Sequence, residues 1–253
     1  YELSKKCLNA NKHILVEKPM AQTSNEVAQI GEIATEKGLT AMVGHTFLFN
    51  EAVRYVRKLI DSGELGEIRY IYSQRLNLGR IRNDVDALWN LAPHDISIIQ
   101  YWLSNPSPIS VTRSGQSYVQ EDIDDVVFLS LKYPNDILAN IHVSWLDPNK
   151  VRKITVVGSK KMVVYDDIDK NKIKIFDKGI DKVATLGNNM DFDTEKNYEF
   201  VHRFGDVSIP RVDWVEPLKS EINHFIDCIA NDTPCKTDAV HAEKVVKILE
   251  SVS

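Results

Sequence analysis

The chain has 253 residues, 43% of them hydrophobic and 26% charged, with a net charge of −5. That composition is globular and fits one large domain or two smaller ones. The acidic balance argues against a nucleic-acid partner, and no apolar run approaches the roughly 18 residues that cross a bilayer.

Taken in order, Leu3 to Asn11 reads as a short amphipathic helix and His13-Ile14-Leu15-Val16 as a buried strand. Thr23 and Glu26 have capping-box spacing, and Val27, Ile30, Ile33 and Ala34 recur at helical period up to a stop at Gly38. Leu39 to Gly44 is a second strand. Asn50 caps a helix through Val53, Val56, Leu59 and Ile60 that ends at Gly63. Strand alternating with helix predicts a parallel sheet.

The pattern changes near Gly66. Ile68 to Leu76 reads as a long strand, Asn77 to Asp86 as an arginine-rich loop, and Pro93 to Leu103 as a helix ended by Asn105-Pro106. Strands follow at Ile109–Tyr118, Val126–Tyr133, Ile137–Trp145, Val151–Val157 and Met162–Tyr165. Pro134-Asn135-Asp136 turns the middle pair into an antiparallel hairpin. Gly179 to Asp213 is weakly periodic and reads as a long, partly ordered excursion. Helices at Pro217–Ala230 and Asp238–Val252 close the chain. One sheet face should be covered by helices. The other carries Phe128, Leu131, Ile141 and Val143, which points to a homo-oligomer through the sheet.

Chemistry concentrates at three places. Lys18 lies where the first strand stops, and in α/β sheets ligands bind at that carboxyl edge. A buried lysine there acts as donor or general acid; the plain alternative is a surface lysine at a strand end. Pro19 would fix its direction. Asn90 and His94 share a helix face, and a histidine near a helix N-terminus stays neutral; the plain alternative is a capping Asn and a structural His. Asp95 would support the first turn. Arg75, Arg80 and Arg82 read either as an anion clamp or as an exposed loop. The cysteines, Cys7, Cys228 and Cys235, show no zinc-like or redox spacing, so reduced thiols in the cytoplasm and no metal are expected.

With Glu17-Lys18-Pro19, the turn after Gly44 and the run Leu88-Trp89-Asn90-Leu91-Ala92-Pro93-His94-Asp95 in hand, the chain resembles the Gfo/Idh/MocA oxidoreductases along essentially its whole length. The resemblance implies the C-terminal remnant of an NAD(P)-binding Rossmann domain over 1–50. An α+β substrate and oligomerisation domain with an open, mostly antiparallel sheet would follow over 51–253, its last helices packing back on the first part. It implies NAD or NADP as cofactor, held by Glu17, Lys18 and Pro19. Lys18 and His94 would be catalytic, and Thr46, Asn77, Arg80, Trp89 and Asn90 would bind substrate. Hydride would pass between nicotinamide and a secondary alcohol or ketone of a sugar or nucleotide sugar. A free-sugar or inositol dehydrogenase competes with this, and so does a non-catalytic sensor or scaffold. Asn90 stands where the family often has Asp. The family's glycine-rich phosphate turn would lie upstream of Tyr1, so a truncated chain, inactive as this fragment, is the expectation.

Overall fold

The computed structural model describes residues 1–184 and 198–253. Helix α1 (Glu2–Asn9) leads into strand β1 (Ile14–Glu17), which pairs in parallel with β2 (Ala41–Gly44) from Ile14↔Ala41 to Glu17↔Gly44. Parallel neighbours need a crossover, and α2 (Ser24–Glu36) supplies it. Its start carries both halves of the capping box: the Thr23 hydroxyl accepts from Glu26 N, and the Glu26 carboxylate accepts from Thr23 N. A 3₁₀ turn (Thr46–Phe49) follows β2, and α3 (Glu51–Asp61) begins where the Asn50 side chain accepts from Ala52 N at 2.9 Å. Gly38 and Gly63 end α2 and α3 at φ of +63° and +69°, the left-handed region that favours glycine.

The second part is one eight-stranded sheet, ordered β10-β9-β8-β7-β3-β6-β5-β4. Its strands are β3 (Ile68–Leu78), β4 (Ser110–Gln116), β5 (Val126–Lys132), β6 (Leu138–Ser144), β7 (Leu146–Gly158), β8 (Met162–Asp166), β9 (Ile173–Ala184) and β10 (Tyr198–Ser208). Only β3 and β6 run parallel; every other pairing is antiparallel. The fold is therefore a Rossmann-like portion followed by an α+β unit with an open, mostly antiparallel sheet. The hairpin between β5 and β6 turns through Asn135 and Asp136, both at positive φ.

Three expectations need correction. First, α4 spans Ala87–Trp102 and starts well before Pro93. Asp86 caps it, its Oδ1 accepting from Trp89 N at 2.9 Å. Pro93 sits inside the helix, where it removes one main-chain hydrogen bond. Second, Phe128 does not share a face with Leu131, Ile141 and Val143. Strand side chains alternate, so those three are buried beneath α4 with Ile96 and Trp102, while Phe128 faces outward. Third, much of 179–213 is regular: β9 and β10 form an antiparallel pair at the sheet edge. Arg203 fastens it by reaching Asp177 at 3.0 Å and Asp181 at 2.7 Å. Residues 185–197 of that stretch lie outside the described residues.

Two helices close the chain. Helix α5 (Pro217–Asn231) lies against the 3₁₀ turn, and α6 (Ala239–Glu250) packs on α2 and β2. Ala239, Ala242 and Val246 join Val27, Ile30 and Val43 in a core of their own. Just before α6, Thr237 extends β2: Val43 N donates to Thr237 O and Thr237 Oγ1 to Val43 O, both at 2.8 Å.

Candidate active site

The carboxyl end of β1 and the first half of α4 meet at one cleft. Lys18 leaves the end of β1 through a cis Lys18–Pro19 bond, and its Nζ donates to the main-chain oxygen of Asn90 at 2.6 Å. Pro93 has no N–H to offer the Trp89 carbonyl four residues before it, and the ammonium meets the next carbonyl, that of Asn90. Burial, and then the charge of Arg75, push Lys18 down to about 8.

His94 is half-buried, and its Nδ1 is enclosed without a hydrogen-bond partner among the described residues. Burial comes first, then the charges of Arg75 and Lys18, in holding its pKa well below the ordinary value. The ring is neutral for that reason and not through a helix end, since the helix starts at Ala87. Phe47 stands edge-on to it at 5.0 Å between centroids.

Beneath these groups is a buried ion pair. Arg75 Nε and Nη2 reach the two oxygens of Asp95 at 2.6 and 3.2 Å, and Ser73 Oγ donates to Asp95 at 2.8 Å. Asp95 is 1% exposed. It anchors α4 to β3 and supports no first turn. Arg75 is committed to this pair and also covers the Phe47 ring at 4.7 Å, so it is not part of an anion clamp. Arg82 pairs with Asp84 at 2.5 Å.

The cleft beside Lys18 has a volume of about 900 Å³ and is lined by Val16, Pro19, Met20, Arg82, Trp89 and Asn90 among others. Lys18, Pro19, Trp89 and Asn90 are thus brought together, while His94 lies within electrostatic reach of Lys18 but is not among the lining residues. The Asn90 Oδ1 accepts from Trp145 Nε1 at 3.2 Å, and Trp89 Nε1 donates to Ser253 Oγ at 2.9 Å. Glu17 is exposed at the strand end. Arg80 is also exposed and borders a separate shallow depression with Ile81 and Asn83. Asn77 packs against Gly79 outside the Lys18 cleft. Thr46 spends its hydroxyl on Glu221 Oε2 at 2.7 Å. Glu221 had not drawn attention in the sequence, because it lies on a C-terminal helix. It is 1% exposed, its Oε1 has no partner, and burial raises it to about 6. His45, directly after β2, was equally unmarked.

Residues 1–45 match the profile described as "Oxidoreductase family, NAD-binding Rossmann fold", and residues 53–164 match the "GFO/IDH/MocA C-terminal domain". The chain belongs to the Gfo/Idh/MocA oxidoreductase family. Among similar proteins, UDP-N-acetylglucosamine 3-dehydrogenase of Acidithiobacillus ferrooxidans is 23% identical over 97% of this chain and 72% of its own length. Its solved structure superposes with a TM-score of 0.77 at 21% identity, covering 99% of this chain and 73% of that one. The structure of GenD2 from gentamicin A biosynthesis in complex with NAD gives 0.76 at 18% identity, over 99% of this chain and 71% of that one. The 1-carboxy-3-chloro-3,4-dihydroxycyclo hexa-1,5-diene dehydrogenase of Comamonas testosteroni is 29% identical over 54% of this chain, which spans 37% of that protein's length. The two structural likenesses show the shared Gfo/Idh/MocA fold.

One constellation among the described residues has metal-ligating chemistry: His224, Cys228 and Cys235, with ligand atoms within 4.8 Å of one another. The Nε2 of His224 already accepts from Lys236 N at 2.9 Å, so its lone pair is occupied. The cysteines are unbonded, and both Cys228 and Cys235 are buried.

Proposed function

We propose that this chain is part of an NAD(P)-dependent oxidoreductase that moves a hydride between nicotinamide and a secondary alcohol or ketone of a nucleotide sugar. The observation that carries the reading is a half-buried lysine of lowered pKa at the end of a parallel strand, bonded to the helix turn that leads to a neutral histidine and lining an open cleft. The cleft fits the nicotinamide end of a dinucleotide: it lies at the carboxyl end of β1 in the parallel pair, where such cofactors bind. Glu17, Lys18 and Pro19 would hold that end, with 1–50 as the cofactor-binding part and 51–253 as the substrate and oligomerisation part. A bound nicotinamide would supply the hydride-accepting carbon.

In the oxidative direction His94, uncharged and with a buried Nδ1 that has no partner among the described residues, takes the hydroxyl proton. Lys18 donates a hydrogen bond to the same oxygen and stabilises the negative charge that develops there. Asn90 holds Lys18 through its carbonyl, while its neutral side chain adds no basicity to His94. Trp89 and Arg80 are the further proposed substrate contacts, the Thr46 hydroxyl being engaged by Glu221 and Asn77 lying outside the cleft. Of these Trp89 lines the cleft and Arg80 offers an exposed charge for a diphosphate.

The apolar residues on the outer sheet face, Tyr70, Tyr72 and Phe128, suit a second copy of the protein. Unbonded cysteines suit a cytoplasmic location, and no described helix is long and apolar enough to cross a membrane.

The test is an assay of the full-length protein with NAD⁺ and NADP⁺ against UDP-N-acetylglucosamine, free hexoses and myo-inositol, followed by the absorbance of reduced nicotinamide. Turnover should favour the nucleotide sugar. Equal rates with the free sugars would overturn the nucleotide-sugar assignment, and no turnover across the panel would favour a sensor.

A further inference from the structure

A buried polar line runs from the surface to the end of β2. Asn105 Oδ1 lies 3.2 Å from His241 Nδ1, and His241 Nε2 lies 3.0 Å from His45 Nδ1. His45 is 2% and His241 4% exposed. The line is held at every point. Lys244 Nζ donates to the Asn105 carbonyl at 2.9 Å. Asp238 caps α6 by accepting from His241 N at 2.9 Å. The Thr237 bridge to Val43 sets α6 beside β2.

Chemistry orders the protons along this line. An amide oxygen only accepts, so His241 Nδ1 carries a hydrogen. His241 sits in the first turn of α6, where a cation is disfavoured, and burial lowers it to about 4. It is therefore neutral, and its Nε2 is the lone-pair nitrogen. His45 Nδ1 must then be the donor between the rings. Its own burial keeps it uncharged, which leaves His45 Nε2 with a lone pair and no hydrogen.

The strand register gives this meaning. Glu17 pairs with Gly44, so the next residues, Lys18 and His45, leave adjacent parallel strands about 4.8 Å apart. The charge of Lys18 reaches both His45 and His94, and His45 also acts on His94. One strand end offers a donor and its neighbour an acceptor. That pairing suits a sugar hydroxyl, which accepts from one and donates to the other.

We propose that His45, at the strand end beside Lys18, is a further ligand-binding residue, presenting Nε2 as acceptor to a ligand hydroxyl, and that His241 and Asn105 are positioning residues that fix its tautomer. Only the identity of the ligand rests on the oxidoreductase reading. The hydroxyl belongs either to the cofactor ribose or to the sugar substrate, and the kinetics separate the two.

Nitrogen-15 NMR of the histidine-labelled chain reads ring tautomers without any turnover. Both rings are expected as Nδ1–H, the minor form of a free histidine in water. Finding His45 as Nε2–H overturns the proposal. Asn105→Gly removes the acceptor and tolerates the backbone φ of 58° there; it should move both rings toward Nε2–H, while Asn105→Asp should not. Unmoved tautomers in Asn105→Gly overturn the positioning role. In the full-length protein, with NAD⁺ and UDP-N-acetylglucosamine as probes, His45→Leu should lower kcat/KM at least about tenfold. His45→Gln, which keeps an acceptor, should recover part of it. A rise confined to the cofactor KM assigns the ribose; one confined to the sugar KM assigns the substrate. Unchanged kcat/KM in His45→Leu overturns the ligand contact. A wild type inactive toward the sugar nucleotide counts against that substrate, and the tautomer result then decides this proposal alone.

Discussion

Lys18 and Glu221 are both held in protonation states that cost folding energy, with opposite signs. The folded pKa of Lys18 is lowered from 10.5 to about 8, so the unfolded chain binds more protons between those values and stability rises with pH across them. Below pH 8 the buried ammonium is a burden. Lys18→Met should therefore raise the thermal midpoint at pH 7, with the gain fading as pH approaches 10.5. It should also lower turnover of the full-length enzyme by about 10²-fold or more. A midpoint that falls would show that the bond to Asn90 outweighs the burial of charge. Glu221 is raised from 4.5 to about 6. The folded state keeps its proton longer, so stability falls as pH climbs through that window and stays lower above it. Glu221→Gln should raise the midpoint by about 2–4 °C at pH 7 and by nothing below pH 4.5, as calorimetry at the two pH values would show.

At the scale of elements, α4 carries the site. It presents Asn90 and His94 one turn apart and Asp95 toward β3, and its start is set by Asp86, which also accepts from Arg113 Nη2 at 2.7 Å. Asp86→Ala should cost about 1–2 kcal/mol, read as a lower urea midpoint at unchanged slope. A loss too small to resolve would mean that the packing of Ile96 and Trp102 alone fixes the helix. Local signals were legible in the sequence: the Thr23–Glu26 box, the Asn50 cap, the glycines at 38 and 63, and Lys18 at a strand end. Signals that depend on distant partners were not. Pro93 looked like a helix start because proline usually is one, and only the tertiary packing keeps it interior. The pair β9–β10 has weak alternation because one edge strand relies on main-chain bonds and Arg203 more than on a buried face. Arg75 looked available until Asp95, on another element, claimed it.

Across the whole molecule, the eight-stranded sheet is covered by α4 on one side and, among the described residues, bare on the other. On the bare face the Phe128 ring stacks on His142 with centroids 4.2 Å apart, near Tyr72. Phe128→Glu should turn a dimer into a monomer by sedimentation while leaving the thermal midpoint of the monomer within about 1 °C, since the side chain is half-exposed. A monomeric wild type would dispose of the interface. The family's architecture was readable from the sequence because the strand-end lysine and the α4 histidine lie in short recognisable runs. His45 was not, because its partner is 196 residues away.

The α6–β2 contact ties the end of the chain to its start. Residues 14–43 complete their core only with Ala239, Ala242 and Val246, and β2 gains its outer neighbour only at Thr237. The first part of the chain is therefore joined to α6 across the whole of the sheet's sequence. Contacts so distant in sequence slow folding, and the two strands whose ends carry Lys18 and His45 depend on them.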